Sequence, residues 1–594
     1  MSRIGYDPIQ LAVMANRMEA IVREMTDTIV RTARSSVIGM ARDMSCSIVT
    51  REGELVAAAE GVPIHIYAAT LQARALMRLQ PNPKEGDAFL HNDPYDGGTH
   101  PADHAVLVPV FHDGAHVFSV IATCHQADIG NSVPTTYFAP ARDVYEEGAL
   151  IFPCVQVQRD YREIDDIIRM CRRRIRVPEQ WYGDHLAAVS AARIGEQRLK
   201  TFMAAHGIET VQQFVDAWFE YTERRTVAAI KKLVSGRVVV EGGHDPVEPF
   251  LPDGIPITVA LDVDAEAGDI TVDLRNNIDC VDAGMNLTEA TATMAAAQGV
   301  FNCLEDVPYN SGTFRHVQVL LRENSVAGIP RFPHSCSCAT APMIDILINL
   351  VHLAFAELGE GLGIAQGNWV NSAGAGVISG RDSRRGGAPF VSQVYLMGGG
   401  GPATATTDGM VSMILMPVMG LLYRDSVEID EQRFPILVRS LGVIENSAGA
   451  GRFRGGPATE VVFGPRADAL RVINITNGVS GRRPLGVHGG RSADLGANLL
   501  LRVDGRVDPQ PAYMDTTLSA GEWIRAVDQG GGGFGDPMIR DPARVRRDIE
   551  ERIVSLEEAR EVYGVVVTGE VATDSLEVDE AGTTERRRRS LPRA

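Results

Sequence analysis

No stretch of this 594-residue sequence is apolar for long enough to cross a bilayer as a helix. The longest uncharged apolar run, Gly409 to Tyr423, is shorter than the ~18 residues required and contains Pro417. The run is instead a candidate for buried core. The opening residues, Met1-Ser2-Arg3-Ile4-Gly5-Tyr6-Asp7, lack a basic segment leading into an apolar one, so no secretory signal is read and the expected location is the cytoplasm. Cysteine is sparse: eight residues, of which only Cys336 and Cys338 are closely spaced. Reduced thiols are expected, not a disulfide framework. Positive charge is in deficit. The 57 Lys plus Arg against 76 Asp plus Glu leave a net charge of -19, which repels nucleic-acid phosphates and anionic membrane surfaces, so neither is an expected partner. No Gly-x-x-x-x-Gly-Lys-Ser/Thr phosphate loop occurs, and ATP, if it is used, must bind elsewhere.

Glycine, by contrast, is abundant. The 59 glycines make up roughly a tenth of the chain against a usual ~7%, which implies many tight loops. At ~150 residues per domain the length suggests about three or four domains. Asp7-Pro8 followed by Met14, Met18, Ile21 and Met25 reads as an N-cap, a proline at the first helical position and an apolar stripe. "MSCSIVTREGELVAAAE" from Met44 reads as a hairpin about Arg51-Glu52-Gly53. Helical spacing returns between Arg162 and Gly236, with Gly207 and Gly236 as stops, and strand alternation begins at Arg237. The expected fold class is α+β and multidomain. Its parts are an N-terminal region over 1–235 holding helices and hairpins, a mixed middle over 236–429, a β-rich region with terminal helices over 430–568, and a disordered tail over 569–594 carrying the run Arg586 to Arg589.

The densest chemistry lies in "HNDPYDGGTHPADH", His91 to His104, with three histidines and three aspartates among turn formers. Two apolar runs follow, separated by His112-Asp113-Gly114-Ala115, in which Asp-Gly is a favoured two-residue hairpin turn. With that turn, paired residue numbers sum to about 227. Ala102 then lies opposite His125 and Asp103 opposite Cys124, which folds His125 back beside the loop. His100 and Asp103 can converge on one point while His125 approaches across the hairpin. Asp43 precedes its strand as Asp103 does, and is the candidate fourth member. Two carboxylates and two imidazoles suit a divalent ion such as Mn²⁺ or Zn²⁺. The competing reading is that Asp93, Asp96 and the glycines merely build Asx turns and that the histidines are satisfied loop groups, which is the preferred reading for His91, His104, His112 and His116. Cys124 reads as a small buried residue, and the glycine runs 398–401 and 530–533 read as close packing, with an anion-binding nest as the alternative.

"NDPYDGGTH" with Asp103, followed by "HQADIG", resembles the signature of the hydantoinase B/oxoprolinase family. Similar segments run in order from about residue 10 to 566, among them "ARDMSCSIVT", "EEGALIFP", "RVPEQWYGD", "GGGGPATATTDGM", "SVEIDEQRFP" and "GGGGFGDPMIRDPARV". That family comprises B-type subunits or halves of N-methylhydantoinases and 5-oxoprolinases, and also subunits of ATP-dependent acetone and acetophenone carboxylases. Substrate therefore does not follow from membership. The resemblance implies a metal held by Asp43, His100, Asp103 and His125, with ATP on an A-type partner chain in a hetero-oligomer. His65 and Asp345 fall at family positions and, with Asp93, are candidates to support the ligands or the packing. Glu428 and Arg433 are candidates to hold an interface. Where family members commonly continue into a second glycine and a Pro-Gly-Ser turn, this chain has Gly130-Asn131-Ser132-Val133-Pro134-Thr135-Thr136, a departure beside the expected site. The expected activity is opening of a hydantoin, lactam or related cyclic amide. The alternatives are a ketone carboxylase subunit, which this chain is short for, and a non-catalytic scaffold.

Overall fold

The computed structural model describes residues 6–58, 61–369, 372–414, 422–573 and 575–590. Helix α1 (Pro8–Thr32) starts where Asp7 accepts a hydrogen bond from the Ile9 amide, and it buries Met14, Met18, Ile21, Met25 and Ile29. After the short α2 (Ser36–Gly39), β1 (Met44–Thr50) and β2 (Leu55–Ala58) form the hairpin about Arg51-Glu52-Gly53. Helix α3 (Ile64–Leu79), β3 (Ala88–His91), β4 (Asp103–His112), β5 (Ala115–His125), α4 (Val144–Glu147), β6 (Val155–Arg159) and β7 (Arg162–Glu163) follow. The seven strands form one sheet in the order β2-β1-β5-β4-β3-β6-β7. Its central strands are buried along nearly their whole length because α3 lies against it as well as α1 and α6 (Pro178–His206).

Helix α5 (Asp165–Arg174) precedes α6, and Gly207, with positive φ, separates α6 from α7 (Ile208–Ile230). Gly236 does not stop a helix. Helix α7 ends at Ile230, and Gly236 opens β8 (Gly236–His244), which pairs with β9 (Ile255–Asp264), then β10 (Asp269–Asp273) and the parallel edge strand β11 (Val317–Leu320). Strand β9 alternates buried and less buried residues. The inner side is covered by α10 (Met343–Leu358), which packs on α8 (Glu289–Asn302), with the short α9 (Ser311–Phe314) between them in sequence. The buried apolar residues of both sheets form one continuous cluster, so the region holding the ligand-rich loop is braced on two sides.

Beyond α10 the chain builds a four-stranded and a five-stranded sheet that share a second core of Ile378, Val472, Met514, Val461, Phe463 and Ile524. Helix α11 (Val427–Arg433) precedes the strands from 436 onward; α12 (Pro542–Glu550), capped by Asp541, and α13 (Leu556–Glu561), capped by Ser555, close the region. The expected disorder after residue 569 is not what the structure shows. A two-residue strand at Glu577–Val578 and helix α14 (Glu580–Ser590) occupy it, and Arg587 donates to the carbonyls of Arg540 and Tyr563. The basic run is thus helical and partly docked. Of the apolar run 409–423, residues 415–421 lie outside the described residues; Met413, Ile414 and Leu422 are buried, whereas Met410, Val411 and Tyr423 are exposed. Among the described residues no helix is long and apolar enough to cross a membrane.

Candidate metal centre

Asp113 and Gly114 have φ of 48° and 78°, the doubly positive geometry of a type I′ turn. The register that the turn dictates holds for His112↔Ala115 and Phe111↔His116, and then shifts by one, so that Val110 faces Phe118. Val117 is the extra residue of a β-bulge. The expected pairing of Asp103 with Cys124 is corrected in consequence: Asp103 lies directly opposite His125. On the other side of β5, Met44 pairs with Cys124, and the His125 amide donates to the Asp43 carbonyl at 3.1 Å. Asp43, His125 and Asp103 therefore form a row across β1, β5 and β4 at one end of the sheet. Directly opposed antiparallel residues share a face with Cβ atoms ~5 Å apart, so the three side chains point the same way.

The preceding loop divides into two parts. Asp93 Oδ1 accepts from the Tyr95 amide at 3.0 Å, and its carbonyl accepts from Gly98 at 2.8 Å. Gly97 has φ +91°, and a Cβ on Gly98 would collide with the Asp93 carbonyl oxygen. Asp96 pairs with Arg78. This half is turn architecture, and Asp93 is not among the groups around the cluster. The second half delivers His100. Its Nε2 is 3.1 Å from Asp103 Oδ1, His125 Nδ1 is 3.0 Å from the same oxygen, and the two ring nitrogens are 3.3 Å apart. All three residues are at least 95% buried. Asp43 Oδ2 stands 4.0 Å from His125 Nδ1, near the outer edge of the ~4.2 Å that two ligands of one ion at ~2.1 Å can span.

The residues fit a divalent ion on two grounds. Ligands at ~2.1 Å are ~3.0 Å apart when cis in an octahedron and ~3.4 Å apart in a tetrahedron, and the three edges of the cluster fall within that range. The hydrogen bonds also fix where lone pairs point. His100 Nδ1 is 2.9 Å from the Ser337 carbonyl, which can only accept, so in the neutral ring the proton sits on Nδ1 and Nε2 offers a lone pair. That lone pair faces a carboxylate oxygen. Without a cation between them the arrangement is repulsive, and a carbonyl that orients a ligand imidazole is the usual support of a metal site.

Asp103 Oδ2 is occupied separately, accepting from Thr99 Oγ1 at 2.5 Å and meeting His65 Nε2 at 3.1 Å, while His65 Nδ1 contacts Ser45 Oγ at 3.1 Å. Only Oδ1 is left for an ion. Burial alone would raise the Asp103 carboxyl, but with no ion between them the protonated forms of the His100 and His65 imidazoles outweigh it and hold the group well below the usual carboxylate range. Burial likewise would lower His125, yet the charges of Asp43 and Asp103 keep it above its ordinary value. His125 Nε2 reaches Thr136 Oγ1 at 2.8 Å, so the loop that departs from the family pattern touches the cluster. Asp345 is buried in the first turn of α10, one turn beyond the segment that carries Ser337.

Other candidates resolve as packing. His91 accepts the Cys154 amide on Nδ1 and donates Nε2–H to the Asp96 carbonyl; burial lowers it to about 4. His104 accepts the Trp181 indole N–H at 3.3 Å, and burial lowers it to about 3. His112 is near the surface beside Asp113, and His116 meets Ser119 Oγ. Cys124 is fully buried, and burial pushes its thiol up, which removes any case for a nucleophile. Arg433 donates to Ser36 Oγ at 2.9 Å and so holds an internal contact, while Glu428 pairs with Ser426. In the glycine runs the amides of Gly400, Gly401, Gly531, Gly532 and Gly533 all donate to backbone carbonyls, so five of the eight are engaged in packing.

Sequence reasoning missed Tyr395, whose hydroxyl donates to Asp43 Oδ2 at 3.1 Å from 352 positions away, and also Thr99, Thr136 and Ser337. Thr99 sits inside the ligand-rich loop and could have been suspected; no local pattern marks the other three.

The model of the family described as hydantoinase B/oxoprolinase matches residues 7–537. The chain is 28% identical to the caprolactamase subunit beta of Pseudomonas jessenii over 97% of its length and 98% of that protein's. It is 27% identical to 5-oxoprolinase 1 of Arabidopsis thaliana over 89% of this chain but only 42% of that longer one. The crystal structure of the ATP-dependent caprolactamase from Pseudomonas jessenii superposes with a TM-score of 0.85 at 26% identity, covering 98% of this chain and all of that one. A nucleotide-free acetone carboxylase chain superposes with a TM-score of 0.84 at 18% identity, covering 98% of this chain and 83% of that one, a likeness of fold alone.

Proposed function

The chain belongs to the hydantoinase B/oxoprolinase family, and from that premise we propose that it is the metal-binding B-type subunit of an ATP-dependent amidohydrolase that opens a cyclic amide. The observation that carries the reading is the buried triangle of His100 Nε2, Asp103 Oδ1 and His125 Nδ1, with Asp43 as the fourth group. Mn²⁺ or Zn²⁺ held there would supply Lewis acidity toward a carbonyl oxygen and toward water. Asp103 and Asp43 supply the anionic charge that retains such an ion. Ser337 and Thr136 orient the two imidazoles, and His65 with Thr99 keeps the Asp103 carboxylate in one pose.

An amide carbonyl is resonance-stabilised and resists water. ATP activates it when its γ-phosphoryl group is transferred to the amide oxygen, giving ADP and a better electrophile. Water then adds to that carbon, the C–N bond breaks, the nitrogen leaves as the amine, and phosphate is released with the open-chain amino acid. The chain has no phosphate loop, and most amides of its glycine runs bond to backbone carbonyls, so the nucleotide is assigned to an A-type partner in a hetero-oligomer. The caprolactamase relative named as a subunit beta supports that assignment.

The second reading, a ketone carboxylase subunit, draws on the fold it shares with acetone carboxylase. The amide reading is favoured because the match to caprolactamase spans both chains end to end, whereas 17% of the carboxylase chain has no counterpart here. Mass-spectrometric metal content of the wild type and of His100→Ala and His125→Ala tests the centre. Near-stoichiometric Mn or Zn lost in both variants supports it, and an unchanged or absent metal sinks it. Phosphate release with the A-type partner and a panel of cyclic amides tests the chemistry. Release that requires a ketone and bicarbonate instead would establish the carboxylase reading, and no turnover of either kind by a metal-free wild type would leave a scaffold.

A further inference from the structure

Glu147, the last residue of α4, is 1% exposed and takes no part in the reaction described above. A buried carboxyl needs a reason. Its Oε2 accepts from Ser335 Oγ at 2.7 Å, while Oε1 has no hydrogen-bond partner among the described residues. Burial pushes the group up from the usual carboxylate range, opposed by Ser335, Ser337 and the His100 imidazole. From this anchor a continuous set of hydrogen bonds leads to the metal centre. Ser335 Oγ accepts the Ser337 amide at 3.2 Å, Ser337 Oγ accepts the Phe138 amide at 2.8 Å, and the Ser337 carbonyl accepts His100 Nδ1–H at 2.9 Å. The anchor is itself fixed, because the Ser132 amide donates to the Glu147 carbonyl at 2.7 Å and the Val144 amide to the Pro333 carbonyl at 3.0 Å.

We propose that Glu147 is a positioning residue for His100. Through Ser335 it fixes the 335–337 backbone so that the Ser337 carbonyl accepts a hydrogen bond from Nδ1–H and Nε2 is presented, unprotonated, beside Asp103 and His125. The metal reading enters only in naming what Nε2 receives. A carbonyl displaced by ~1 Å no longer holds a directional hydrogen bond. His100 is then free to carry its proton on Nε2 and donate it to Asp103, which removes a ligand lone pair from the triangle. No local signal in the sequence joins positions 147, 335 and 100; only the fold does.

The test measures dissociation constants for Mn²⁺ and Zn²⁺ by chelator competition, and the His100 tautomer by ¹⁵N spectroscopy of the metal-free, histidine-labelled full chain, with the His100 signals identified by their loss in His100→Gln. Glu147→Ala and Ser335→Ala are expected to weaken metal binding roughly 10–100-fold and to turn the single Nδ1–H form of His100 into a mixture. Glu147→Gln keeps an acceptor for Ser335 and is expected to stay within about threefold of wild type in affinity, with the tautomer unchanged. Unaltered affinity and tautomer in both alanine variants would overturn the proposal. So would a Glu147→Gln protein as impaired as Glu147→Ala, because charge and not position would then be what matters. A wild type that takes up neither ion defeats the metal reading, while the tautomer still decides the role of Glu147. Should Glu147→Ala fail to fold, Ser335→Ala, which loses a single hydroxyl, carries the test.

Discussion

Two regions of the chain carry sequence patterns that look like ligand sites: the histidine-aspartate loop before β4 and the glycine runs at 398–401 and 530–533. The structure separates them by one criterion, whether the polar groups satisfy one another. In the glycine region five of the eight amides find a backbone carbonyl. Gly400 donates to Gln529, Gly531 to Gly456, Gly532 to Gln366 and Gly533 to Arg491, and the segments lie so close that a Cβ on Gly531 would collide with the Gly401 carbonyl oxygen and one on Gly455 with the Gly531 carbonyl oxygen. Glycine is used there for backbone contact. In the loop region Ser337, Thr136, Thr99 and His65 complete the far sides of the cluster, while on the near side Nε2 of a neutral His100 and Asp103 Oδ1 turn acceptors toward each other, with His125 Nδ1 beside both. A surplus of inward-facing acceptors is the mark of a cation site, and a closed account of donors and acceptors is the mark of packing.

The contrast breaks most visibly on substitution. Gly531→Ala places a methyl group into backbone that cannot yield, and a loss of about 4 kcal/mol or more is expected, seen as an insoluble protein or a collapsed melting temperature. A variant that melts normally would show that this region tolerates side chains and would reopen it as a binding site. Asp103→Asn should do the opposite: a fold that survives, with metal affinity reduced about 100-fold or more because the oxygen shared by both imidazoles loses its charge. Calorimetric or chelator titration reads this directly, and an Asn variant that still binds tightly would remove Asp103 from the ligand set.

How much of this was legible in the sequence can be followed residue by residue. The Asp-Gly turn is local chemistry and was readable, as was the Asp7 cap. The register beyond the turn was off by one, because the Val117 bulge depends on packing at the Val110–Phe118 pair and leaves no sequence mark. The error was instructive, since only the bulged register puts Asp103 opposite His125. The α+β class followed from periodicity, but the helix over 580–590 did not, because its polar composition resembles a solvated tail and its docking relies on the Arg540 and Tyr563 carbonyls. Tyr395 was beyond reach for the same reason as Ser337: each meets the site through tertiary contact alone.

Tyr395 joins the two regions. It lies just before the 398–401 glycine run, yet its hydroxyl reaches Asp43 on the loop side, donating at 3.1 Å. Tyr395→Phe should leave stability within about 1.5 kcal/mol of wild type and weaken metal binding about 10-fold, by freeing one oxygen of the fourth ligand. An unchanged affinity would mean that Asp43, 4.0 Å from His125 Nδ1, does not ligate in solution.

The smallest expected effect lies beneath Tyr395, in a pair of buried carboxyls. The Tyr395 amide donates to Asp425 Oδ2 at 2.8 Å, and Asp430 on α11 is fully buried nearby, with Arg433 reaching across to Ser36. Burial, and then the charge of Asp425, push the Asp430 carboxyl well above the usual range. A group raised in this way binds a proton in the folded state that the unfolded chain, with an aspartate near ~3.9, has already released. Stability therefore falls as pH rises from about 4 into the alkaline range, the reverse of an ion-paired carboxylate. Asp430→Asn keeps the neutral shape and removes the titration. Its melting temperature is expected to match wild type near pH 4 and to exceed it by roughly a few degrees at pH 8. A constant difference across that range would mean that Asp430 holds its charge in the fold, with Arg433 as its counter-ion, and that the seam between the two regions is closed by an ion pair and not by a shared proton.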